Sequence, residues 1–180
     1  MSLKDITKDR HAAAEGTAFM KAVFDKTLPF ELWVDFTYQK QLWYKEIEHA
    51  AQQAGLLDNL PGIERSQLIM DDYHAMDKPI GSYNTYKEET KDYASYIRSL
   101  DDPNRIMAHL YTWHMGDLFG GQMIKKIVDA PHTHLDFENP KMLMTNMRSL
   151  LSDDMGDEAN IAFDWAIKIM ESYDSSLGQN

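Results

Sequence analysis

An all-α fold is the prediction that this sequence supports best, and three observations carry it. Apolar residues recur at spacings of three and four along most of the chain, as on the buried face of an amphipathic helix. No segment shows the alternating pattern of a half-buried strand. The turn-rich segments 58–62, 76–82 and 130–139 are too short to be domain linkers. We therefore expect one helical domain over residues 1–180, with any ligand site lying between helices.

Each predicted helix has its own local justification. Residues 31–54 place Leu32, Trp33, Phe36, Trp43, Ile47, Ala50 and Ala51 at helical spacing, with Gly55 just past the end. Asp102 and Pro103 are typical of an N-cap and a first helical residue, and open an apolar-periodic stretch running to about Ala130. Asp157 is expected to cap a last helix that ends near Gly178. Shorter helices are predicted at 3–14, 18–25, 63–76, 86–99 and 139–152.

Composition excludes several classes of function. There is no cysteine, which rules out disulfides, thiolate metal sites and cysteine nucleophiles. The net charge of −11 disfavours general nucleic-acid binding, because the chain would repel phosphates. No apolar run approaches the ~20 residues of a membrane span, and the charged N-terminus lacks the apolar core of a signal peptide. We expect a soluble, cytoplasmic protein without a membrane anchor.

Three glycines interrupt the longest helical stretch. Gly116, Gly120 and Gly121 each cost ~1 kcal/mol relative to alanine in a helix interior, so their clustering indicates a kink or a close backbone approach. Gly116 and Gly120 share one face, which could receive a flat ligand or pack closely against another helix. Spacing alone favours neither the ligand nor the helix-packing explanation. Asp117, beside these glycines, is most simply interpreted as a solvent-exposed helix residue.

A second candidate site lies in the first helix. His11 and Glu15 are four residues apart and therefore share a helical face. A carboxylate can accept a hydrogen bond from one imidazole nitrogen and leave the other free to bind a metal. Pairs of this kind are more often simple surface pairs, so the spacing alone does not establish a metal site.

Two of these segments, and a third, resemble the heme oxygenase family. The stretch Gly116-Asp-Leu-Phe-Gly-Gly-Gln-Met-Ile-Lys-Lys126 is similar to the family's distal helix, and Lys4-Asp-Ile-Thr-Lys-Asp-Arg-His-Ala-Ala-Ala-Glu15 to its proximal helix. Glu158-Ala-Asn-Ile-Ala-Phe163 resembles its final helix. The resemblance covers most of the chain in order, and it implies a helical bundle with heme sandwiched between a proximal helix and a glycine-kinked distal helix.

The resemblance also implies roles for individual residues. His11 would be the axial ligand of the heme iron, oriented by Glu15, and Asp117 would anchor water beside bound O2. Gly116 and Gly120 would let the distal helix lie over the heme. The residues implied to surround the rest of the heme are Lys4, Tyr111 and Lys141 at the propionates and Phe163 at the edge.

The sequence departs from the family pattern at four positions. Phe119 replaces a common serine, where it would either crowd the distal pocket or point away. Trp113 replaces an arginine, and Lys40 takes a position often held by a distal tyrosine. A propionate-binding arginine falls on Thr145, although Arg148 lies one turn on. These departures affect heme seating, and hence the ring carbon that is attacked.

The reaction implied is the cleavage of heme by O2 and electrons to biliverdin, expected as the IXα isomer, with Fe2+ and CO. The chain has no nucleotide-binding glycine motif, so the electrons must come from outside. A ferredoxin is the donor that the resemblance implies, and a downstream bilin reductase is a further partner to consider. The docking candidates on the two heme-flanking helices are Lys4, Lys8, Arg10, Lys125 and Lys126.

Two alternatives remain open at this stage. Glu46 and His49 have the i, i+3 spacing of di-iron carboxylate proteins, echoed by Asp71 and His74. A heme-binding or storage protein without turnover would share His11 but not need Asp117 or the glycines. The remaining histidines, His109, His114, His132 and His134, are expected to be structural or solvent-exposed, with His114 close to the distal face.

Overall fold

The computed structural model describes residues 2–78 and 85–178, and all regular structure within these ranges is helical. The helices are α1 (Leu3–Glu15), α2 (Ala18–Phe24), α3 (Phe30–Gln53), α4 (Ser66–Ala75), α5 (Glu88–Arg98), α6 (Pro103–Leu110), α7 (Gly116–Ile127), α8 (Pro140–Leu150), α9 (Gly156–Glu171) and α10 (Asp174–Leu177). The all-α prediction is confirmed. Residues 79–82, part of a predicted turn, lie outside the described ranges.

Short tight turns complete the connections. They are the 3-10 turns Leu57–Asn59, Thr133–Leu135 and Asp153–Met155, and a π-helical segment, Tyr111–Met115, joins α6 directly to α7. The predicted stretch from Pro103 to Ala130 is thus a helix with a π insertion that ends at Ile127. Such insertions are common at functional sites.

Helices α6 and α1 begin with the side-chain capping that is common at helix N-termini. The side chain of Asp102 accepts a hydrogen bond from the backbone of Asn104, as predicted, and Ser2 forms a capping box with Asp5. The prediction that Asp157 caps the last helix is wrong. The turn Asp153–Met155 runs straight into α9, so Asp157 lies inside the first turn, where its charge still favours the helix N-terminus.

The core lies around α3, which packs against α4, α5 and α6. Trp43 and Ile47 on α3 are completely buried, as the helical periodicity predicts, and Tyr44 beside them is completely buried as well. On the other side of the bundle α9 packs along α1, and its predicted apolar face is buried. The long helix α3 and the pair α1–α9 therefore form the frame that holds the π segment and α7.

A polar cluster sits within this core. His109 lies 2.7 Å from the Tyr93 hydroxyl through Nδ1 and 3.0 Å from Glu158 through Nε2, while Trp113 donates to the same tyrosine oxygen. Arg105 pairs with Glu158 at 2.8 Å. Burial raises the pKa of Glu158, but the hydrogen bonds from His109, Tyr96 and Arg105 outweigh burial and lower it to about 2. The cluster ties α5, α6 and α9 together, and it gives His109 a structural role.

The packing of α1 against α9 depends on a glycine. A Cβ built on Gly156, at the start of α9, would lie 2.6 Å from Cγ2 of Ile6 on α1. We expect Gly156→Ala to lower the free energy of unfolding by ~1–3 kcal/mol, because overpacking forces the two helices apart. Chemical denaturation of the purified protein measures the effect.

Gly120→Ala is the matched control for that experiment. A Cβ at Gly120 meets nothing within 4 Å, so the same change there should leave stability unchanged or raise it by up to ~1 kcal/mol through helix propensity. Equal effects at the two positions would contradict the assignment of Gly156 as the packing contact.

Candidate functional site

The glycine-rich helix α7 presents a bare face to the outside. Gly116 and Gly120 are exposed, and a Cβ at either would meet no atom within 4 Å. Gly121 differs, because its Cβ would lie 3.0 Å from a methyl carbon of Leu135. Close packing, one of the two explanations for the glycines, therefore applies to Gly121 alone. Gly116 and Gly120 leave open space for a flat group to approach the backbone.

Asp117, next to this face, belongs to a largely buried ion pair. Its carboxylate oxygens lie 3.0 and 2.8 Å from Nζ of Lys40, and its Oδ2 accepts a hydrogen bond of 2.6 Å from Tyr44. Burial raises the pKa of Asp117, but the charge of Lys40 and these hydrogen bonds outweigh burial and hold it below its usual range. The solvated-residue interpretation of Asp117 is thus wrong.

Two further side chains, those of His134 and Asp72, continue the hydrogen-bond network beyond the ion pair. His134, in the turn after α7, places Nε2 3.4 Å from Nζ of Lys40 and Nδ1 2.6 Å from Oδ2 of Asp72. Burial and the charge of Lys40 lower the pKa of His134. Asp117 is therefore fixed from α3 and, through His134, from α4.

The α1 side of the site has the opposite character, because its polar residues are exposed. The side chain of His11 is 57% exposed, and its Nε2 lies 3.8 Å from the Glu15 carboxylate, beyond hydrogen-bond range. Its ring makes an edge contact with Phe163 on α9 at 5.6 Å between centroids. His11 thus rests on an aromatic side chain with its polar edge accessible.

A side-chain contact places α1 beside the segment that leads into α7. Oγ1 of Thr7 lies 3.3 Å from the hydroxyl of Tyr111, the first residue of the π segment. Thr7 is one turn before His11, and the two share a helical face. The contact brings the face of α1 that carries His11 towards the start of the glycine helix. Lys4 lies exposed one turn before Thr7.

The first turns of α8 carry the remaining candidates. Lys141 is exposed, and the hydroxyl of Thr145 bonds back to the Lys141 carbonyl at 3.0 Å.

Phe119 is 51% exposed on α7, and the guanidinium of Arg148 lies 5.6 Å from its ring centroid. Phe119 thus extends from the glycine face towards α8, and Arg148 on α8 is the cation next to it.

Trp113, His114 and His132 are buried and do not line the open glycine face of α7. Trp113 is in the core against Trp43, at 4.9 Å between centroids. His114 is buried, bonds Glu48 at 2.9 Å and packs on Tyr44, which gives it a structural role. His132 bonds the Val128 carbonyl at 2.8 Å. None of the four remaining histidines is exposed.

The di-iron alternative does not match the structure. His49 and His74 are exposed, and Glu46 pairs with Arg98 at 2.8 Å. Within residues 2–78 and 85–178, no group of three or more histidine, aspartate and glutamate side chains is close enough to hold a metal ion. The paired helical spacings are therefore coincidental.

Comparison with known proteins decides the family. The family model described as heme oxygenase matches residues 1–144. The chain belongs to the heme oxygenase family. A heme oxygenase 1 of Nostoc is 25% identical over 95% of this chain and 84% of its own. Mouse heme oxygenase 2 is 24% identical over 97% of this chain, which spans 65% of that relative's length.

Solved heme oxygenases share the fold. The heme complex of heme oxygenase-1 from Synechocystis has a TM-score of 0.83 at 22% identity, covering 97% of this chain and 91% of its own. The enzyme from Leptospira interrogans has a TM-score of 0.80 at 22% identity, over 96% of this chain and 100% of its own. The helical architecture is therefore that of heme oxygenases. Among the described residues, no helix has the length and apolarity needed to cross a membrane.

Sequence reasoning missed the residues that hold Asp117. Tyr44, His134 and Asp72 were not singled out as members of a site, and Lys40 was noted only as a departure from the family. A signal existed for Lys40, because it lies between Phe36 and Trp43 on the apolar face of α3, where a lysine needs a buried partner.

Proposed function

We propose that this chain is a heme oxygenase, which binds heme and uses O2 and external electrons to open the porphyrin to biliverdin, releasing Fe2+ and CO. The observation that carries the proposal is the pairing of a bare glycine face on α7 with a buried carboxylate, Asp117, beside it. Membership of the heme oxygenase family supports the same activity. Heme is both substrate and cofactor in this reaction, and the protein supplies ligation, orientation and polarity.

The residues present fit a heme group. The open space over Gly116 and Gly120 accepts a flat ring, and the exposed edge of His11 supplies an imidazole nitrogen of the kind that binds heme iron. We assign His11 as the axial ligand and Phe163 as the side chain that supports its ring. Glu15 orients the imidazole once a small side-chain rotation closes the 3.8 Å gap.

Asp117, beside the glycine face, would anchor water and so guide proton delivery to the reacting group. Its position in an ion pair keeps it as a carboxylate, which accepts hydrogen bonds from water rather than releasing a proton itself. Gly116 and Gly120 allow the helix backbone to form the wall above the ring. This combination supports controlled proton transfer near one edge of the porphyrin.

The propionates are assigned to Lys4, Tyr111 and Lys141. Lys4 and Lys141 are exposed cations on α1 and α8, and Tyr111 lies at the junction between α1 and the π segment. A carboxylate at the rim of a cleft is stabilised by such charged and hydroxyl donors. Because Trp113 and Thr145 do not supply the cations expected from the family pattern, the IXα position of ring opening is a proposal that product analysis must test.

The electrons come from a small acidic donor, for which a ferredoxin is our proposal. Lys4, Lys8 and Lys126 are exposed on the two helices that flank the site. Arg10 and Lys125 lie beside them, although each already pairs with an aspartate, Asp164 and Asp136 respectively. We also propose that biliverdin passes to a bilin reductase, and that the single domain acts in the cytoplasm.

A bulky residue on the glycine face tests where the heme binds. Gly120→Leu is expected to weaken hemin binding about ten- to a hundred-fold, because the added side chain occupies the proposed ring position at an overpacking cost of ~1–3 kcal/mol. Titration of the heme-free variant with hemin, followed by the Soret absorbance, measures the affinity.

Gln122→Leu is the matched control, since Gln122 is an exposed residue of the same helix whose amide bonds the Leu135 carbonyl at 3.3 Å. We expect it to bind hemin as the wild type does. Unchanged affinity in Gly120→Leu, or an equal loss in Gln122→Leu, would contradict the placement of heme on this face.

A further inference from the structure

Lys40 forms an ion pair whose geometry uses every proton of its ammonium group. The side chain is 9% exposed, and its Nζ lies 3.0 and 2.8 Å from the two carboxylate oxygens of Asp117 and 3.4 Å from Nε2 of His134. A lysine ammonium has three N–H donors and no acceptor. The three acceptors around Lys40 therefore satisfy it completely, which a buried cation requires.

The protonation of His134 follows from Asp72. The carboxylate of Asp72 accepts hydrogen bonds from the backbone N–H groups of Thr133 and His134, both at 2.9 Å, and from the Thr133 hydroxyl at 2.6 Å. Burial alone raises the pKa of Asp72, but these donors and the imidazole outweigh it and keep the group ionised. A carboxylate only accepts, so Nδ1 of His134, 2.6 Å away, carries the proton.

The position of that proton fixes the direction of the next contact. A neutral imidazole with its proton on Nδ1 has a free lone pair on Nε2, which accepts from Lys40. Charge and proton positions are thus consistent from Asp72 through His134 and Lys40 to Asp117. Asp72, at one end of this series of hydrogen bonds, is buried, and Asp117, at the other end, is the carboxylate beside the glycine face.

We propose that Lys40 is a positioning residue for heme cleavage, which holds Asp117 as a fixed carboxylate and is itself held by the His134–Asp72 pair. The proposal rests on the proposed function only in assigning Asp117 to the heme reaction. It gives the distal side an ion pair in place of a lone carboxylate, so Asp117 works as an acceptor that orders water. Protons for the reaction then come from that water rather than from the Asp117 carboxyl.

Few other titratable groups face the pair. Tyr44 from α3 donates to Asp117, and burial, together with the nearby Asp117 charge, raises its pKa well above the ordinary value, so it remains a neutral donor. Arg65, just before α4, adds a more distant positive charge. The carboxylate of Glu48 is engaged by His114 and by the backbone N–H groups of Arg65 and Ser66. Lys40 is the cation in direct contact with Asp117.

The first test is a titration of the heme-free protein. We would follow the side-chain carboxyl ¹³C resonance of Asp117 by NMR in wild type, Lys40→Met and Lys40→Arg. In Lys40→Met the cation is lost while burial remains, so the pKa of Asp117 should rise above its ordinary value. Lys40→Arg keeps a cation and should keep the pKa low. If the pKa of Asp117 were the same in wild type and in Lys40→Met, the proposal would be overturned.

The second test uses the pH profile of the hemin-loaded chain. Wild type and Lys40→Arg should keep forming biliverdin at pH values where Lys40→Met has lost activity. At those pH values Asp117 is protonated in Lys40→Met but still ionised in the other two proteins. The acidic limb of the kcat profile should therefore move to higher pH in Lys40→Met, with unchanged hemin affinity. Lys91→Met removes an exposed lysine paired with Glu88 and serves as the control with no shift.

The two tests separate the inference from the proposed function. If no protein, including wild type, forms biliverdin, the proposed function fails, while the NMR titration still decides whether Lys40 controls Asp117. A raised Asp117 pKa with an unshifted pH profile overturns the positioning role of Lys40. Should Lys40→Met not fold, Lys40→Gln makes the same comparison, because it retains a donor without a charge.

Discussion

Replacing His11 with alanine is expected to abolish heme cleavage while leaving the helical fold intact. The side chain is 57% exposed and contacts Phe163 only at its edge, so little buried apolar area is lost. The imidazole of His11 is the proposed iron ligand, so its removal should shift the Soret band of the hemin complex. Biliverdin formation should fall below detection, and added imidazole should restore part of it by filling the vacated position.

Two comparisons make this result specific. His49→Ala removes another exposed histidine and should change neither the spectrum nor turnover. Glu15→Gln removes the charge that we propose orients His11. Loss of the outer-shell partner of a metal ligand typically costs about 10- to 100-fold in affinity or activity, and we expect a loss in that range. A normal Soret spectrum with full turnover in His11→Ala would show that another group ligates the iron.

Replacing Asp117 with asparagine is expected to separate heme binding from heme cleavage. The variant should bind hemin with near-normal affinity, because Asp117 lies beside the glycine face rather than on it. Biliverdin formation should fall about 10²- to 10⁴-fold, the usual loss when positioned proton transfer is removed, because the water that Asp117 orders would no longer be held in place. Product analysis by absorbance and chromatography measures the yield per heme consumed.

This substitution also leaves Lys40 without its counter-ion. Breaking a buried pair by removing one partner costs about 3–5 kcal/mol, so thermal unfolding must be measured alongside. The double variant Lys40→Met/Asp117→Asn removes both charges and should recover stability without recovering activity. Asp157→Asn, an exposed first-turn aspartate of α9, is the matched control. Undiminished biliverdin yield in a stable Asp117→Asn protein would contradict the role of the carboxylate.

The helices and one half of the site were predictable because their signals are local. The apolar spacing of α3, the capping by Asp102 and the clustered glycines each depend on residues a few positions apart. The His11–Glu15 pair is local in the same way. Such patterns reflect the geometry of a single helix, and they fix which residues share a face.

The Lys40–Asp117 ion pair was not predictable because its members are far apart in sequence. Lys40 and Asp117 are separated by 77 residues, and His134 and Asp72 by 62. Their contacts depend on how α3, α4 and α7 pack, which periodicity does not give. The error at Asp157 has the opposite cause. A cap residue was inferred from type alone, whereas the preceding 3-10 turn continues directly into α9.

The measurement that tests the central claim most directly is an optical titration of the heme-free chain with hemin, followed in the same cuvette by reduced ferredoxin or ascorbate under air. We predict a 1:1 Soret band that then bleaches as a broad biliverdin absorption rises at longer wavelength. The same sample analysed by chromatography identifies the isomer, and comparison of the two reductants tests the ferredoxin proposal. A Soret band that stays unbleached with either donor would contradict the account and identify a heme-binding protein without turnover.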